Sequence, residues 1–200
     1  MARIDYFFSP LSPFTYLAGL ELERLADRQG ADIAYRPMDL MEVFGATGGV
    51  PLGKRHESRL AYREQELARL SRRKGLKLNI RPKHFPTDAT LASCTVIAAA
   101  EKTGDDETDT GALAHALLRA VWAEEKDVAD ADTVRGVIRD LGLDPGLVAE
   151  ARDHEETFRA NTAEAIERGV FGSPFYIVDD GEKFWGQDRL GELEAHLAER

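Results

Sequence analysis

Cysteine is almost absent: Cys94 stands alone among 200 residues, so no disulfide can close within the chain and no cysteine-based metal site can be assembled. Its neighbours Ala92, Ser93, Val96, Ile97 and Ala98 read as a helix in which the thiol packs as a small apolar group. Long apolar runs are missing as well. No stretch approaches the roughly 20 residues of a membrane-spanning helix, and Asp5 interrupts the only early run that a secretory signal could use. A soluble, cytoplasmic chain with no membrane partner is expected. No low-complexity linker divides the sequence, and 43% apolar residues suffice for one substantial core. Positive charge is in deficit, with a formal total of −10, which argues against a nucleic-acid partner. Lys54 to Lys83 is the exception, with eleven Lys or Arg against three Glu. A solvated helix face accounts for most of these cations; the sharper reading is a local attractor for a small anionic ligand. The glycine-rich stretch from Gly45 to Gly53 lacks the spacing and terminal Lys-Ser/Thr of a phosphate-cradling loop, so a mobile segment is expected there and not a nucleotide site.

What is present is organised around Arg3 to Tyr16. Ile4, Tyr6 and Phe8 alternate with Asp5 and Phe7, the pattern of a buried strand. Ser12 then stands as a helix N-cap with Pro13 at the first helical position. Phe14, Leu17, Ala18, Leu22, Leu25 and Ala26 recur at helical spacing and predict one helix over 13–29. Its N-terminus would present free N–H groups and a positive dipole end beside Ser12, where an anion is the natural guest. Gly30 ends that helix, and 31–37 reads as a second strand, parallel to the first.

Beyond it, Met38 to Phe44 begins irregularly. A helix over 55–74 follows, with Leu60, Tyr62, Leu67 and Leu70 inward. The proline-broken loop 79–86 carries His84, with nothing adjacent to make it a base. Helices are expected at about 88–103, 111–125, 130–142 and 145–169, with an acidic surface turn at 104–111 and with Trp122 and Phe158 as packing aromatics. The tail returns to strands: 172–178 entered through Ser173-Pro174, a hairpin turn at 179–181, and 183–185. A closing helix spans 188–199, with Leu190, Leu193 and Leu197 inward. One small sheet built from 1–37 and 170–200, interrupted by an all-helical insertion over 38–169, is the simplest assembly.

That arrangement resembles an α/β thioredoxin-like fold with a large helical insertion, the architecture of DsbA-type oxidoreductases. Where those proteins carry Cys-x-x-Cys, this chain carries Ser12-Pro-Phe-Thr15, with hydroxyls for both sulfurs. A disulfide oxidoreductase is thereby excluded, barring a bond shared with another chain. Ser173-Pro174 falls at the place of that fold's cis-proline, and a cis bond is predicted. Three segments carry a more specific likeness: Leu11-Ser-Pro-Phe-Thr-Tyr-Leu-Ala18, Val170-Phe-Gly-Ser-Pro174 and Trp185-Gly-Gln-Asp-Arg-Leu190. Together, over essentially the whole length, the chain resembles the 2-hydroxychromene-2-carboxylate isomerases and their relatives, the kappa-class glutathione transferases.

The resemblance implies a glutathione-dependent isomerase of an aromatic-degradation intermediate, in which the cofactor thiolate adds reversibly to the substrate. It makes Ser12 the catalytic position. With no histidine or lysine base evident beside it, Ser12 is a poor nucleophile but a good hydrogen-bond donor to a thiolate. The backbone of Ser173, before Pro174, is implied to pair with glutathione as an added strand does. Gln187 and Asp188, preceded by Trp185 and Gly186, are implied to hold its γ-glutamyl end. Standing alone, Asp188 is equally well read as a helix cap.

Lys54 and Arg55 fall where these isomerases place polar groups on the substrate, and their charge suits a carboxylate. Phe44 replaces a substrate-contacting lysine and Phe85 a substrate-contacting tyrosine. Those two departures leave the thiol site intact and unsettle a naphthalene-pathway substrate. A homodimer is expected by analogy. The rivals are a kappa-like transferase that releases a conjugate, and a non-catalytic thioredoxin-like binding protein.

Overall fold

The computed structural model describes the backbone of residues 1–103 and 107–200 and the side chains of 1–102 and 110–200. Four strands form one sheet in the order β2-β1-β3-β4. β1 (Arg3–Phe8) and β2 (Asp32–Pro37) pair in parallel, Ile4 opposite Ile33 and Tyr6 opposite Tyr35, as a crossover through helix requires. β3 (Phe175–Val178) runs antiparallel to β1, with Tyr176 opposite Tyr6, and β4 (Lys183–Trp185) antiparallel to β3. Alternation of side chains sorts the two faces. Ile4, Tyr6, Phe8, Tyr176 and Val178 join the larger core. Phe7, Phe175 and Ile177 face a smaller one closed by Met38, Val43, Ala165 and Val170.

The first helical stretch is broken where one helix was expected. α1 (Pro13–Ala18) ends at Gly19, whose φ of +65° turns the chain out of the helix before α2 (Glu21–Gln29) resumes. The apolar positions continue across the break, so periodicity alone does not register it; the glycine does. Gly30 caps α2 in the left-handed region, as expected.

After β2, residues 40–47 form α3 (Leu40–Thr47), where an irregular start and a glycine loop were expected. Asp39 is the reason: its carboxylate accepts from the N–H groups of Met41 and Glu42 at 2.8 and 3.2 Å, which nucleates the turn. A 3₁₀ turn (Leu52–Lys54) leads into α4 (Glu57–Lys74). Leu67 and Leu70 are buried, but Tyr62 is 61% exposed. It lies two residues past Leu60, about 200° around the helix and so off the inner stripe.

α5 (Thr90–Thr103), α6 (Glu107–Trp122) and α7 (Ala131–Asp140) follow. Of the acidic turn expected at 104–111, residues 104–106 lie outside the described residues, and from Glu107 the chain is already in α6. The long last helix of the block is two pieces, α8 (Leu147–Glu150) and α9 (Glu155–Glu167), joined by the 3₁₀ turn Ala151–His154. α10 (Leu190–Ala198) buries Leu190, Leu193 and Leu197. Trp122 is fully buried, and Phe158 packs with Cys94, Ile97 and Ala151. Burial pushes the Cys94 thiol up to about 11. Among the described residues, no helix is long and apolar enough to cross a membrane.

Candidate active site

Three segments far apart in sequence meet at the end of β1. Ser12 caps α1, its hydroxyl oxygen accepting from the Thr15 N–H at 3.2 Å. The same hydroxyl donates to the Ser173 carbonyl at 2.8 Å. Below that pair, the Ser9 N–H donates to the Ser173 hydroxyl at 2.9 Å, and the Ser173 and Thr15 hydroxyls are 2.8 Å apart. Thr15, in the place of a second sulfur, and Ser9 are therefore part of the scaffold, a contribution the sequence reading did not assign. The Ser-x-x-Thr spacing of a capped turn was the signal for the first of them. Trp122 fixes the turn from the helical side, its indole N–H donating to the Pro10 carbonyl at 3.0 Å.

The Ser173–Pro174 bond is cis, as predicted, and a second cis bond joins Phe85 and Pro86. The Pro174 carbonyl accepts from the Gly186 N–H at 3.0 Å, which brings the Trp185-to-Asp188 turn against the proline. Gly186 has φ +107°, and a Cβ on it would lie 2.7 Å from an Asp188 carboxylate oxygen. No other residue fits there without displacing Asp188. Trp185 lies across Gly172, where a Cβ would meet its indole nitrogen at 2.2 Å.

The closing helix begins later than expected. α10 starts at Leu190 with Arg189 as a cap that makes no side-chain bond. Gln187 and Asp188 thus sit in the preceding turn. Asp188 does not cap the helix; it is exposed and, among the described residues, pairs only with Arg189, at 3.5 Å.

Ser12 is 3% exposed and Ser173 8%, so the hydroxyl lies against the cis-proline loop and not in open solvent. Among the described residues the Ser173 N–H makes no hydrogen bond. That leaves one buried backbone donor beside Ser12 for a ligand acceptor. Among the described residues no histidine or lysine is hydrogen-bonded to the serine. His84 lies 3.8 Å from Asp127, and His115 stacks on Tyr16 at 5.5 Å, where burial and nearby Arg119 and Arg24 hold its pKa below the usual range.

Beyond Trp122 opens a cleft of about 370 Å³ lined by Leu52, Leu60, Arg63, Ile80, Pro82 and Phe85, among others. Phe85 packs on Trp122 with ring centres 5.0 Å apart, so the cleft is linked through Trp122 and Pro10 to the Ser12 turn. Of the four residues expected to meet substrate, Phe85 lines this cleft. Arg55 is held elsewhere: its Nε donates to the Val50 carbonyl at 2.7 Å and its guanidinium lies 5.9 Å over the Phe44 ring. Burial, and Arg59 beside it, push the Arg55 pKa down. Lys54 is exposed and follows Gly53, which lines the cleft. Arg63 was not singled out from the sequence, where it was one cation among eleven.

A thioredoxin sheet, a cis-proline facing a capped turn, and hydroxyls where a redox pair would stand define the class. The chain belongs to the DSBA-like thioredoxin domain family, whose family model matches residues 3–198. Within that class its place is the 2-hydroxychromene-2-carboxylate isomerase family. It is 32% identical over 198 residues to the protein of that name from Sphingobium xenophagum, covering 97% of each chain. A solved structure of a 2-hydroxychromene-2-carboxylate isomerase matches with a TM-score of 0.80 at 29% identity, over 98% of this chain and 95% of that one. Glutathione S-transferase kappa 2 of Caenorhabditis elegans is 23% identical over 209 residues, covering 98% of this chain and 92% of the relative.

Proposed function

We propose that the chain is a glutathione-dependent isomerase acting on a small aromatic-derived acid of the 2-hydroxychromene-2-carboxylate type, with Ser12 as the residue that stabilises the cofactor thiolate. The observation that carries this reading is the meeting of Ser12, Ser173-Pro174 and the Trp185-to-Asp188 turn through hydrogen bonds of 2.8 and 3.0 Å. Named relatives support it: isomerases over the whole chain and a kappa-class glutathione transferase.

The residues present fit the tripeptide. Ser173 offers an unused N–H and a carbonyl on one side of Pro174, the pair an extended backbone needs. Asp188, free of capping duty, suits an ammonium, with Gln187 beside it and Trp185 and Gly186 shaping the turn. Bound glutathione would supply a thiolate able to add reversibly to an unsaturated acid and leave again.

Everything else is the chain's work. Ser12 turns its proton from the Ser173 carbonyl to the sulfur and keeps that proton, so it acts as a donor and never as a nucleophile. One hydrogen bond to a charged acceptor is worth about 1.5–3 kcal/mol, and 1.36 kcal/mol is one pKa unit. Ser12 alone therefore lowers a thiol from its ordinary 8.5 by about one to two units. The helix dipole adds less than a 13–29 helix would, because α1 is only six residues long.

In this reading the segments 1–37 and 170–200 hold the cofactor, while 38–169 supplies the wall of the substrate cleft with Phe85. Lys54 follows the lining residue Gly53, while Arg55 and Phe44 pack on each other outside the lining. A cytoplasmic homodimer is the proposed working form.

The test is incubation of the purified chain with glutathione and 2-hydroxychromene-2-carboxylate. Isomer formed with glutathione unconsumed is the expected result. Conjugate released from an electrophilic aryl halide, without isomerisation, would favour the kappa-like transferase. Absence of both, with no heat of glutathione binding in calorimetry, would leave a non-catalytic binding protein.

A further inference from the structure

Arg63 lies on α4, half-buried, on the wall of the cleft. Its neighbours there are Leu52, Gly53, Leu60, Ile80, Pro82 and Phe85, which present hydrocarbon and one aromatic ring, together with the charged pair Glu64 and Arg81. Among the described residues no carboxylate pairs with it and no acceptor takes its N–H groups. The charges around it are accounted for. Glu64 is gripped by Arg81 through two bonds of 3.0 and 2.7 Å. Arg55 is tied to the Val50 carbonyl and the Phe44 ring. Burial and the Arg55 charge disfavour the Arg63 cation, and Glu64 only partly opposes them. A guanidinium cannot shed its proton to escape such a place. A partly buried, unpaired cation costs free energy, and an arriving anion removes that cost.

The cleft's size makes the anion's character specific. A volume of about 370 Å³ is at the lower end of small-molecule pockets, about 300–1,000 Å³, and suits a one- or two-ring acid. Phe85 places an aromatic ring at the end nearest Trp122 and the Ser12 turn. The planar fork of Arg63 matches a carboxylate through two parallel N–H donors.

We propose that Arg63 is the carboxylate anchor of this cleft and sets its preference for aromatic acids over neutral molecules of the same shape. For the physiological substrate this rests on the isomerase reading above; the anchor itself is testable without turnover.

The experiment is calorimetric titration of the full chain, without glutathione, with 1-naphthoate and its neutral counterpart 1-naphthamide. Naphthoate is expected to bind about tenfold or more tightly, as a charge-assisted fork implies. Arg63→Gln should erase the difference, while Arg59→Gln, on the same helix outside the cleft lining, should keep it. Arg63→Met retains the packed stem and serves as the second neutral variant if R63Q melts early. Equal binding of the two probes by the parent chain overturns the proposal, as does a preference that survives in whichever neutral variant melts like the parent. Failure of the glutathione reading looks different: turnover is absent while the naphthoate preference and its dependence on Arg63 persist.

Discussion

Ser12→Ala removes one oxygen that serves two partners, and its consequences divide cleanly between stability and chemistry. On the stability side, the Thr15 N–H loses its cap and the Ser173 carbonyl loses its donor, contacts of 3.2 and 2.8 Å in a buried site. A lost cap costs about 1 kcal/mol and an unpaired buried acceptor about 1–3 kcal/mol. Partial rehydration offsets some of this, so about 1–3 kcal/mol in all is expected, at about 2–4 °C of Tm per kcal/mol for a chain of this size. On the chemical side, the sulfur of bound glutathione loses its hydroxyl donor, and its pKa rises by about one to two units. The thiolate fraction near neutrality then falls roughly tenfold or more. The assay is a pH titration of thiolate ultraviolet absorbance at saturating glutathione, paired with a melting curve. If the cofactor still binds and its thiol pKa moves by less than about half a unit, Ser12 is a helix cap and the proposed role is wrong.

Asp188→Asn should raise the glutathione Kd by about tenfold and leave Tm nearly unchanged, because this carboxylate caps nothing and meets only exposed Arg189; calorimetry beside a melting curve reads both, and an unaltered Kd refutes the assignment. Cys94, with its thiol pushed up to about 11 by burial, should resist iodoacetamide in the folded chain and react fully in denaturant, as read by intact-mass spectrometry. Asp5 is a stability residue with a definite pH sign. Burial alone would raise its pKa, but the hydrogen bond from Arg168 at 2.7 Å and the charges of Arg3, Arg168 and Arg36 overcome it and hold the carboxyl below its ordinary range. A carboxyl depressed on folding contributes stability above its unfolded pKa and loses it as pH falls through the folded one. Asp5→Asn should therefore lower the urea midpoint near neutrality, by about 1–3 kcal/mol in stability for a partly screened pair, and differ little from the parent near pH 2; a gap that persists in acid would refute the assignment.

The strands and the meeting of the three motifs were legible because each signal is local. Ile4, Tyr6 and Phe8 alternate within β1, Gly30 marks a helix end, Ser12 and Pro13 mark a beginning, and Ser173-Pro174 lies where the chain re-enters the sheet. What escaped was set by single side chains or by partners remote in sequence. Gly19 breaks a run whose apolar spacing continues on both sides. Asp39 converts a glycine-bearing stretch into α3 through two bonds to its own backbone. Tyr62 belongs to a helix whose inner stripe is narrow, and an aromatic on the wrong arc reads as core by composition alone. Arg63 escaped for a different reason. In sequence it is one basic residue in a basic helix, and only the arrival of Ile80, Pro82 and Phe85 from a distant loop makes it half-buried and unpaired.

The replacement of a sulfur pair by hydroxyls changes what the turn can exchange. Two thiols opposite a cis-proline trade electrons; Ser12 and Thr15 have none to trade, but each hydroxyl is a stronger hydrogen-bond donor and acceptor than a thiol. Ser12 and the Ser173 carbonyl already form the donor and acceptor that an extended thiol ligand must find, joined to each other at 2.8 Å. In the proposed complex a ligand N–H would take the carbonyl, the ligand sulfur would take the hydroxyl, and the unused Ser173 N–H would gain an acceptor. One internal hydrogen bond would be broken and three made, so the two groups that lose a partner each gain another and the Ser173 N–H gains its first. The Thr15 and Ser9 contacts to the Ser173 hydroxyl hold that carbonyl in place while the exchange occurs. On this physical account, one serine can be both the cap that stabilises α1 and the donor that tunes a sulfur it does not itself possess.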